Sequence, residues 1–517
     1  MKRILSLSLV LMMVFSLFAI TPLTVSAEGT EENPIIINQD NVSSYYNKDL
    51  NGYYKVEGPV TFTTPINSIT NGVFDGNGQT ITLAIANDKN DYPEGLFRYA
   101  GGSGNTVEIK NLTLEGTVST TNSGDDDGSG SVVGKIRNGK VIIDGVTNNA
   151  AITVRAYAGG IAGWVVSGEA VITNCVNNAD VEVTYSSYAS GIVGYAAAPV
   201  TIINCKNYKD VTIPTGKTYA AGIISTNTNT LKIENCANEG TITGDYIAGI
   251  VMDASVGKSV EISKTYNAGT LNGTGGAHAY GITRSANGNA NVTDCYNVGD
   301  ILVTKNGVKT PEGYMFSGAT VNNFYNTKNV DMYYTNTTLE NVYTLEGTAV
   351  RGTQVTDKEL KELASSLGES FVTATPTKNS AYPYPQIVGN EYVVAAASVP
   401  ATLGTIGGGF SANEDISGTY ADGEISYTGA YVAGFGIAQD LFGWEKSYGM
   451  ILTDANGVEY EADAVANSAT ESGNYGVLFY GSKLVPGEYT LTPYVTYTNY
   501  GETHQVKGEA KTVTVAE

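Results

Sequence analysis

The chain has 517 residues and carries 51 acidic against 29 basic side chains, which gives a formal net charge of −22. An acidic chain repels nucleic acid and anionic membrane surfaces, so neither is expected as a partner. Only 15% of the residues are charged, while glycine (61) and tyrosine (35) are abundant. This composition suits turn-rich β structure and argues against long disordered charge runs.

The N-terminus has the features of an export signal. Lys2 and Arg3 precede an apolar run, and Val25-Ser26-Ala27 supplies the small-x-small end of a cleavage site. We interpret residues 1–27 as a secretory signal peptide rather than a transmembrane helix. No second run of about 20 apolar residues follows. The mature chain is therefore expected outside the cell, secreted or at the cell surface, without a membrane span.

Residues 28–70 form a lead-in whose two short apolar runs are expected to pair with the first coil of a repeat and cap it. Residues 71–117 are interpreted as the first full coils, with a tight turn at Asp75-Gly76-Asn77-Gly78. The acidic loop 122–131 interrupts the pattern. Asp125, Asp126 and Asp127 in that loop are a weak candidate for a Ca²⁺ site, but they lack the alternating spacing of a calcium loop. An ordinary solvated loop is favoured.

An asparagine recurs at a fixed spacing through the middle of the chain. Successive members are 29 to 31 residues apart: Asn148, Asn177, Asn207, Asn238, Asn267, Asn297 and Asn326. A β-branched apolar residue lies five positions before each asparagine, and another apolar residue lies four positions after it. A period near 30 with short β-rich runs is typical of a solenoid, whose coils bury their apolar faces on one another. Stacked asparagines are expected to hydrogen-bond along the axis, which makes them structural.

The four cysteines occupy a further column, two positions before the asparagines: Cys175, Cys205, Cys236 and Cys295. Thr265 fills the missing rung. We interpret the thiols as inward-facing groups that behave as small buried hydrophobes. A disulfide between adjacent rungs is the alternative, because stacked strands lie about 4.8 Å apart. Single cysteines about 30 residues apart lack the paired spacing of a metal site, so neither a metal nor another cofactor is predicted.

A second motif, glycine-apolar-x-glycine, precedes each asparagine unit, as in SVVG at 131, GIAG at 160 and GIVG at 191. Each coil is expected to contain three short strands: one at this motif, one ending at the cysteine and one after the asparagine. The sequence therefore predicts an all-β protein. Residues 71–355 are expected to form a right-handed parallel β-helix with about 30 residues per coil.

The combined pattern, glycine-apolar-x-glycine followed by I-x-N-C-x-N, resembles the GLUG repeat of bacterial secreted and surface proteins. The preceding VFDGNGQTIT segment resembles the lead-in that such proteins carry, and the resemblance covers about residues 70–390. It implies a β-helix stalk with a surface or adhesive role. GLUG repeats also occur beside an immunoglobulin-cleaving metallopeptidase, but the HExxH motif of that enzyme is absent from this sequence.

The C-terminal third changes character. Thr356 and Glu359 form a capping box that starts a helix over 356–371, with Leu360, Leu363 and Leu367 on one apolar face. Residues 356–392 are expected to close the β-helix. Residues 393–517 alternate as strands and turns and predict an antiparallel β-sandwich. The segment 484–495 resembles the tyrosine corner of fibronectin type III/immunoglobulin-like sandwiches, with Tyr489 as the corner residue.

An aromatic ring lies three positions before the motif glycine in five successive coils: Tyr157, Tyr188, Tyr219, Tyr246 and His278. Facing outward, this column would suit sugar rings or a protein; facing inward, it would be a core ladder. The inward orientation is favoured, because in an unbroken strand Tyr157 shares a face with the apolar Ile161. Trp164 is interpreted as a packing residue.

Catalysis has little support from the sequence. Glycoside hydrolysis needs two placed carboxylates, and the β-helix offers Asp180, Asp210, Asp294 and Asp300. Asp180 and Asp210 share a column beside a turn, where a turn role is favoured. Arg155 and Arg284 are isolated. We therefore predict a non-catalytic, adhesin-like protein that binds a glycan or an extracellular protein, with no prediction of oligomeric state. The alternatives are a polysaccharide lyase or hydrolase acting along the β-helix, and a structural spacer.

Overall fold

A computed structural model shows an all-β protein with a parallel β-helix, two short α-helices and small antiparallel sheets towards the C-terminus. It describes residues 29–87, 93–121, 128–185, 187–216, 219–254, 258–285, 287–305, 308–328, 330–334, 336–347, 351–374, 384–390, 404–409, 415–420, 423–437, 445–460, 464–469, 474–481, 483–499 and 502–516. The proposed signal peptide and the calcium candidates Asp125, Asp126 and Asp127 lie outside the described residues. The chain divides into two compact units, with the boundary between Gln354 and Val355.

The first unit is a parallel β-helix of about eight coils with about 30 residues each. One 3-10 helix, Val42–Tyr45, lies near its start. Its strands, with a last short one that reaches the unit boundary, are Ile35–Ile37, Asp49–Val56, Val60–Phe62, Ile66–Asn87, Phe97–Ala100, Thr106–Thr120, Ser129–Gly130, Val133–Ile136, Lys140–Val154, Ala158–Gly159, Ala162–Val165, Glu169–Thr173, Val176–Asn177, Val181–Val183, Tyr188–Ser190, Val193–Ala196, Val200–Ile203, Lys206–Asn207, Val211–Thr212, Tyr219–Ala221, Ile224–Asn227, Leu231–Glu234, Ala237–Asn238, Ile242–Ala248, Val251–Asp253, Val260–Ser263, Tyr266–Asn267, Leu271–Arg284, Ala290–Asn297, Ile301–Lys305, Val308–Pro311, Tyr314–Ser317, Ala319–Asn326, Asp331–Tyr333, Thr338–Leu345 and Thr353–Val355.

The predicted register is confirmed along the apolar column that precedes the asparagines. Each member pairs with the equivalent residue of the next coil through Ile143, Ile172, Ile202, Ile233, Ile262, Val292 and Val321. Parallel pairing of the same kind already joins the lead-in strands, where Ile35 pairs with Tyr54 and Tyr54 with Phe74. The interior is a continuous apolar core because this column and the one after the asparagines are fully buried. Each such side chain contributes about 1.5–3 kcal/mol by leaving water.

Each coil bends more often than the three predicted strands require. The coil of Asn177 contains five short segments, because two bends divide the longer runs. One bend lies at Gly160 and Ile161, between the strands Ala158–Gly159 and Ala162–Val165. The other is at Asn174, whose φ of 54° lies in the left-handed region. Asparagine tolerates this conformation better than most residues, which explains the corner between the second strand and the cysteine.

The second unit begins with two short α-helices, Asp357–Lys361 and Ala364–Leu367, instead of the single predicted helix over 356–371. The predicted capping box is present, with Thr356 and Glu359 bonded reciprocally. At the end of the first helix the N–H of Glu362 is shared between the carbonyls four and three residues back, and the N–H of Leu363 bonds to the carbonyl of Leu360, three residues back, which tightens the turn. Leu360, Leu363 and Leu367 are buried as the predicted stripe requires.

The rest of the second unit is antiparallel. Two four-stranded sheets contribute side chains to one apolar cluster, which contains Val432 and Phe479 from one sheet and Leu452 and Leu491 from the other. The Tyr489 hydroxyl donates to the carbonyl of Val485 at 3.0 Å. The strands of this unit are Phe371–Val372, Gln386–Ile387, Gly404–Gly409, Asp415–Tyr420, Gly423–Thr428, Tyr431–Ile437, Glu445–Asp454, Ala464–Ala469, Asn474–Tyr480, Gly487–Asn499, Glu502–Lys507 and Lys511–Val515.

Candidate binding surface

The predicted aromatic column forms a continuous row of rings along the β-helix. Tyr188, Tyr219, Tyr246 and His278 are paired in register from coil to coil. From Tyr157 onward, successive ring centroids lie 5.2, 5.7, 5.4 and 5.1 Å apart, which is contact distance for aromatic side chains. We call these five residues the aromatic strip.

The strip lies on the outside of the coil, contrary to the favoured inward orientation. All five of its residues are partly exposed, whereas Ile161 is fully buried in the core. The prediction assumed one unbroken strand from Tyr157 to Ile161, and the bend at Gly160 and Ile161 removes that assumption. Gly159 marks how tight the bend is, because a Cβ there would lie 2.0 Å from the carbonyl oxygen of Ala162.

A second column flanks the strip, and sequence reasoning missed it. Its members directly follow the four-residue motif and pair from coil to coil: Lys135, Trp164, Tyr195, Thr226 and Asp253. Trp164 stacks on Tyr157 at 4.9 Å with an interplanar angle of 8°, and Tyr195 contacts Tyr188 at 4.8 Å. The position after each motif was visible in the sequence, but its chemistry varies too much from coil to coil to show a pattern.

The cations near these columns have partners. Lys135 is largely buried, and its Nζ lies 4.9 Å from the centroid of Trp164. Arg284 forms an ion pair with Asp253 at 3.1 Å. Arg155 lies over the ring of Tyr185 at 3.7 Å. These contacts are cation–π or ionic, so the surface around the strip presents rings and paired charges.

Two tyrosines of the strip, Tyr188 and Tyr219, remain neutral over the physiological range. Partial burial raises the pKa of Tyr188 to about 12, with smaller contributions from neighbouring tyrosines and Asp253. Burial also raises the pKa of Tyr219, and Asp253 acts in the same direction. A neutral phenol both donates and accepts a hydrogen bond, as sugar hydroxyls do.

The carboxylates considered for catalysis have structural partners. Asp180 Oδ1 accepts the N–H of Asp210, and Asp210 Oδ1 accepts the N–H of Thr241, so each ties its turn to the next coil. Asp294 occupies a left-handed corner, and Asp300 forms an ion pair with Lys328 at 2.9 Å. These contacts place the four carboxylates at corners and turns.

The asparagine column forms a hydrogen-bonded ladder inside the β-helix. Each side-chain Nδ2 donates to Oδ1 of the asparagine in the next coil, at 2.7–3.1 Å from Asn148 to Asn326. The same Nδ2 also donates to the carbonyl two residues further along its own chain, as Asn177 does to Ala179. The amides are fully buried, so these bonds satisfy groups that water cannot reach.

The cysteine column is buried as free thiols, without disulfides between its rungs. Cys175 donates to the carbonyl of Thr173, and its N–H lies 3.4 Å from the sulfur of Cys205. Thr265 takes the same place with its hydroxyl, which accepts the N–H of Cys236. Burial raises the pKa of the Cys205 thiol well above its usual range, so it stays protonated.

A second, exposed asparagine ladder runs beside the interior one and was not predicted. Asn204 donates to Asn174 at 3.0 Å, and Asn235 donates to Asn204 at 2.8 Å. These residues have φ values of 54–55°, so they combine a corner conformation with contacts between coils. The sequence signal was the first asparagine of N-C-x-N.

Nowhere in the described ranges do three or more His, Cys, Asp or Glu side chains group closely enough to hold a metal ion. Among the helices that the structure describes, none has the length and apolar character needed to cross a membrane. No protein-family model, no curated protein and no solved structure matches the chain.

Proposed function

We propose that this protein is an exported, non-catalytic binding protein whose β-helix presents the aromatic strip to a glycan. The observation that carries the proposal is the outward position of five ring-bearing side chains in consecutive coils. Rings at contact distance form a rigid surface that loses little conformational entropy when a ligand binds. Sugar C–H groups and hydroxyls match the apolar faces and phenol groups of such a surface.

Three features of the chain support a surface role. The glycine motif and the asparagine unit support membership of the GLUG-repeat proteins, because the parallel coils put both motifs in register. The Tyr489–Val485 bond supports a fibronectin type III/immunoglobulin-like sandwich in the second unit. Together with the signal-like N-terminus, these features support a secreted or cell-surface location.

The leading alternative is a polysaccharide lyase or hydrolase that uses the same face. The Asp253–Arg284 ion pair near the strip is the observation in its favour, because such enzymes combine carboxylates with cations. The structural contacts of Asp180 and Asp210 speak against a role in hydrolysis for those two residues. A spacer with no ligand on the β-helix is the third possibility.

Native electrophoresis through gels that contain a polysaccharide separates these functions. The mature chain, residues 28–517, is run through gels cast with different polymers, which are then stained. Retardation without clearing is expected. The double variant Tyr188→Ala/Tyr219→Ala should lose the retardation, whereas Tyr208→Ala should keep it, because Tyr208 is exposed but lies outside the strip.

The other outcomes decide between the alternatives. A cleared zone around the band would show cleavage of the polymer and overturn the non-catalytic proposal. If no polymer changes the migration of the protein, glycan binding is excluded, and a protein partner or a spacer function is left. Retardation that survives in the double variant would place the glycan site elsewhere on the chain.

A further inference from the structure

The shape of the aromatic strip says which kind of ligand fits it. The strip is five rings long and follows the helix axis, and four steps of about 4.8 Å make it roughly 19 Å long. Trp164 and Tyr195 flank it at one end, and the ring of Tyr334 lies 6.5 Å from that of His278 at the other. In the two coils between these ends the flanking positions are Thr226 and Asp253. A chain molecule parallel to the axis can therefore contact more rings than one that crosses it.

The rings present varied orientations along this line. From Tyr157 to His278, the planes of successive rings differ by 41°, 45°, 87° and 16°. The surface therefore offers both ring faces and ring edges. A polymer that carries C–H groups and hydroxyls in alternation matches such a surface, whereas a flat aromatic ligand would need a parallel stack.

The charges around the strip decide what kind of polymer it accepts. A polyanion is held by cations that are available along its whole length. Here Lys135 is largely buried beside Trp164, Arg284 is paired with Asp253, and Arg155 is stacked on Tyr185. The chain as a whole carries a net charge of −22. Both features oppose a chain of uronate or sulfated sugars.

We infer that the aromatic strip selects an uncharged polysaccharide chain that lies parallel to the helix axis across at least three consecutive rings. The inference rests on the proposed function and adds the charge class and the direction of the ligand. Rings from successive coils act together on one chain, so binding strengthens as the chain covers more coils.

The charge class is tested with paired probes in the same electrophoretic assay. Hydroxyethylcellulose, dextran and galactomannan are the neutral polymers, and alginate and polygalacturonate are the anionic ones. At 150 mM salt, at least one neutral polymer is expected to retard the mature chain while neither anionic polymer does. Retardation by an anionic polymer alone would overturn the inference. If that retardation disappeared in Tyr188→Ala/Tyr219→Ala, the proposed glycan site on the strip would still be upheld. Retardation by none of the five would overturn both.

The direction of the ligand is tested with variants of the first and the last tyrosine of the strip. Tyr157→Ala and Tyr246→Ala lie three coils apart, and each is expected to weaken binding of the neutral polymer severalfold, since each removes one ring contact. The double variant Tyr188→Ala/Tyr219→Ala is expected to weaken it roughly tenfold or more. Any three consecutive rings of the strip include Tyr157 or Tyr246. Unchanged binding in both of these variants would therefore mean that the chain crosses the strip, and would overturn the parallel arrangement.

Folding of the variants is kept separate from binding. Circular dichroism of each variant is compared with that of the parent, and Tyr208→Ala serves as the exposed tyrosine control. If the double alanine variant does not fold, Tyr188→Leu/Tyr219→Leu keeps apolar volume at these half-buried positions. It is expected to fold and to lose binding, and unchanged binding in the folded leucine variant would overturn the inference.

Discussion

The motif glycine and the interior asparagine of each coil fit each other at the level of single atoms. A Cβ added at Gly191 would lie 2.3 Å from Cγ of Asn207, and one at Gly222 would lie 2.3 Å from Cγ of Asn238. Side chains do not approach so closely in a packed interior, so only glycine leaves room for the asparagine. This contact explains why the glycine and the asparagine recur with the same period.

The substitution Gly191→Ala should therefore destabilise the β-helix. The added methyl group also meets the carbonyl oxygen of Gly222 at 2.4 Å, so the backbone of two coils must move. We expect a loss of about 3 kcal/mol or more in the free energy of unfolding, measured by urea denaturation. The control is Gly104→Ala, where φ is +76° but the space is open, so only the conformational cost of about 1–2 kcal/mol applies. An equal or smaller loss in Gly191→Ala would contradict the packing argument.

The buried Glu239 makes the free energy of unfolding depend on pH, and the direction of its pKa shift gives the sign of this dependence. Burial raises the pKa of Glu239 above its ordinary value, although the hydrogen bond from Tyr266 at 2.6 Å acts in the opposite direction. Just above the ordinary pKa of glutamate, the folded chain therefore holds this proton more tightly than the unfolded chain. The contribution of Glu239 to the free energy of unfolding is largest in acid and falls as the pH rises through the raised pKa.

The variant Glu239→Gln should remove this contribution and keep an acceptor for Tyr266. We expect its melting temperature, relative to the parent, to be higher at pH 7 than at pH 4. Glu234→Gln is the control of opposite sign, because the hydrogen bond from Lys232 lowers the pKa of Glu234 and its stabilising effect is lost as the pH falls. The melting temperature of Glu234→Gln, relative to the parent, should be higher at pH 4 than at pH 7. The same pH trend in both variants would refute the assignment.

At the scale of the element, the two asparagine ladders have different energetic weight. Asn207 accepts from Asn177 and donates to Asn238 and Lys209 inside the core, where an unpaired amide or carbonyl has no water to replace its partner. Asn207→Ala should cost about 2–5 kcal/mol, because it leaves several buried groups unsatisfied. Asn204→Gly in the exposed ladder keeps the left-handed corner and should change stability by less than about 1 kcal/mol. Urea unfolding of both variants measures the two losses of free energy of unfolding. Similar losses for Asn207→Ala and Asn204→Gly would contradict the expected difference.

The strands could be predicted from the sequence where the same burial pattern repeats in every coil. The column from Ile143 to Val321 was predicted because every coil must bury the same face, and the pairing follows it rung by rung. The thiols of the cysteine column were predicted to be buried for the same reason. The GLUG resemblance implied the same parallel coils.

The candidate site was less predictable because it depends on corners. The aromatic residues were found by their spacing, but their direction depends on the bend at Gly160 and Ile161, which periodicity within a strand does not show. The stacking of Trp164 on Tyr157, across that bend, was likewise not visible in the spacing. The helix over 356–371 likewise divides where Glu362 and Leu363 make tighter turns, although its capping box was recognised.

At the scale of the whole molecule, the β-helix is a one-dimensional stack. Each coil pairs with the coil before it and the coil after it. The stability of a coil is therefore the sum of its intrinsic free energy and the free energies of its two interfaces. The four cysteines report on this arrangement, since each is buried in a different coil and its thiol becomes reactive only when that coil opens. The chain therefore carries a built-in probe of local unfolding.

Asn297→Ala should expose Cys295 before Cys175. Asn297 donates to Asn326 and Gly299 and accepts from Asn267, so its loss weakens the interfaces on both sides of one coil. Thiol alkylation at increasing urea, read by mass spectrometry of each cysteine, should show Cys295 labelled at lower urea than in the parent. Cys175, four coils away, should shift less. The control Asn291→Thr alters an exposed position of the same strand and should leave Cys295 as in the parent. Equal shifts of all four thiols would mean that the β-helix opens as a single cooperative unit, in which stabilisation at any coil protects all of them.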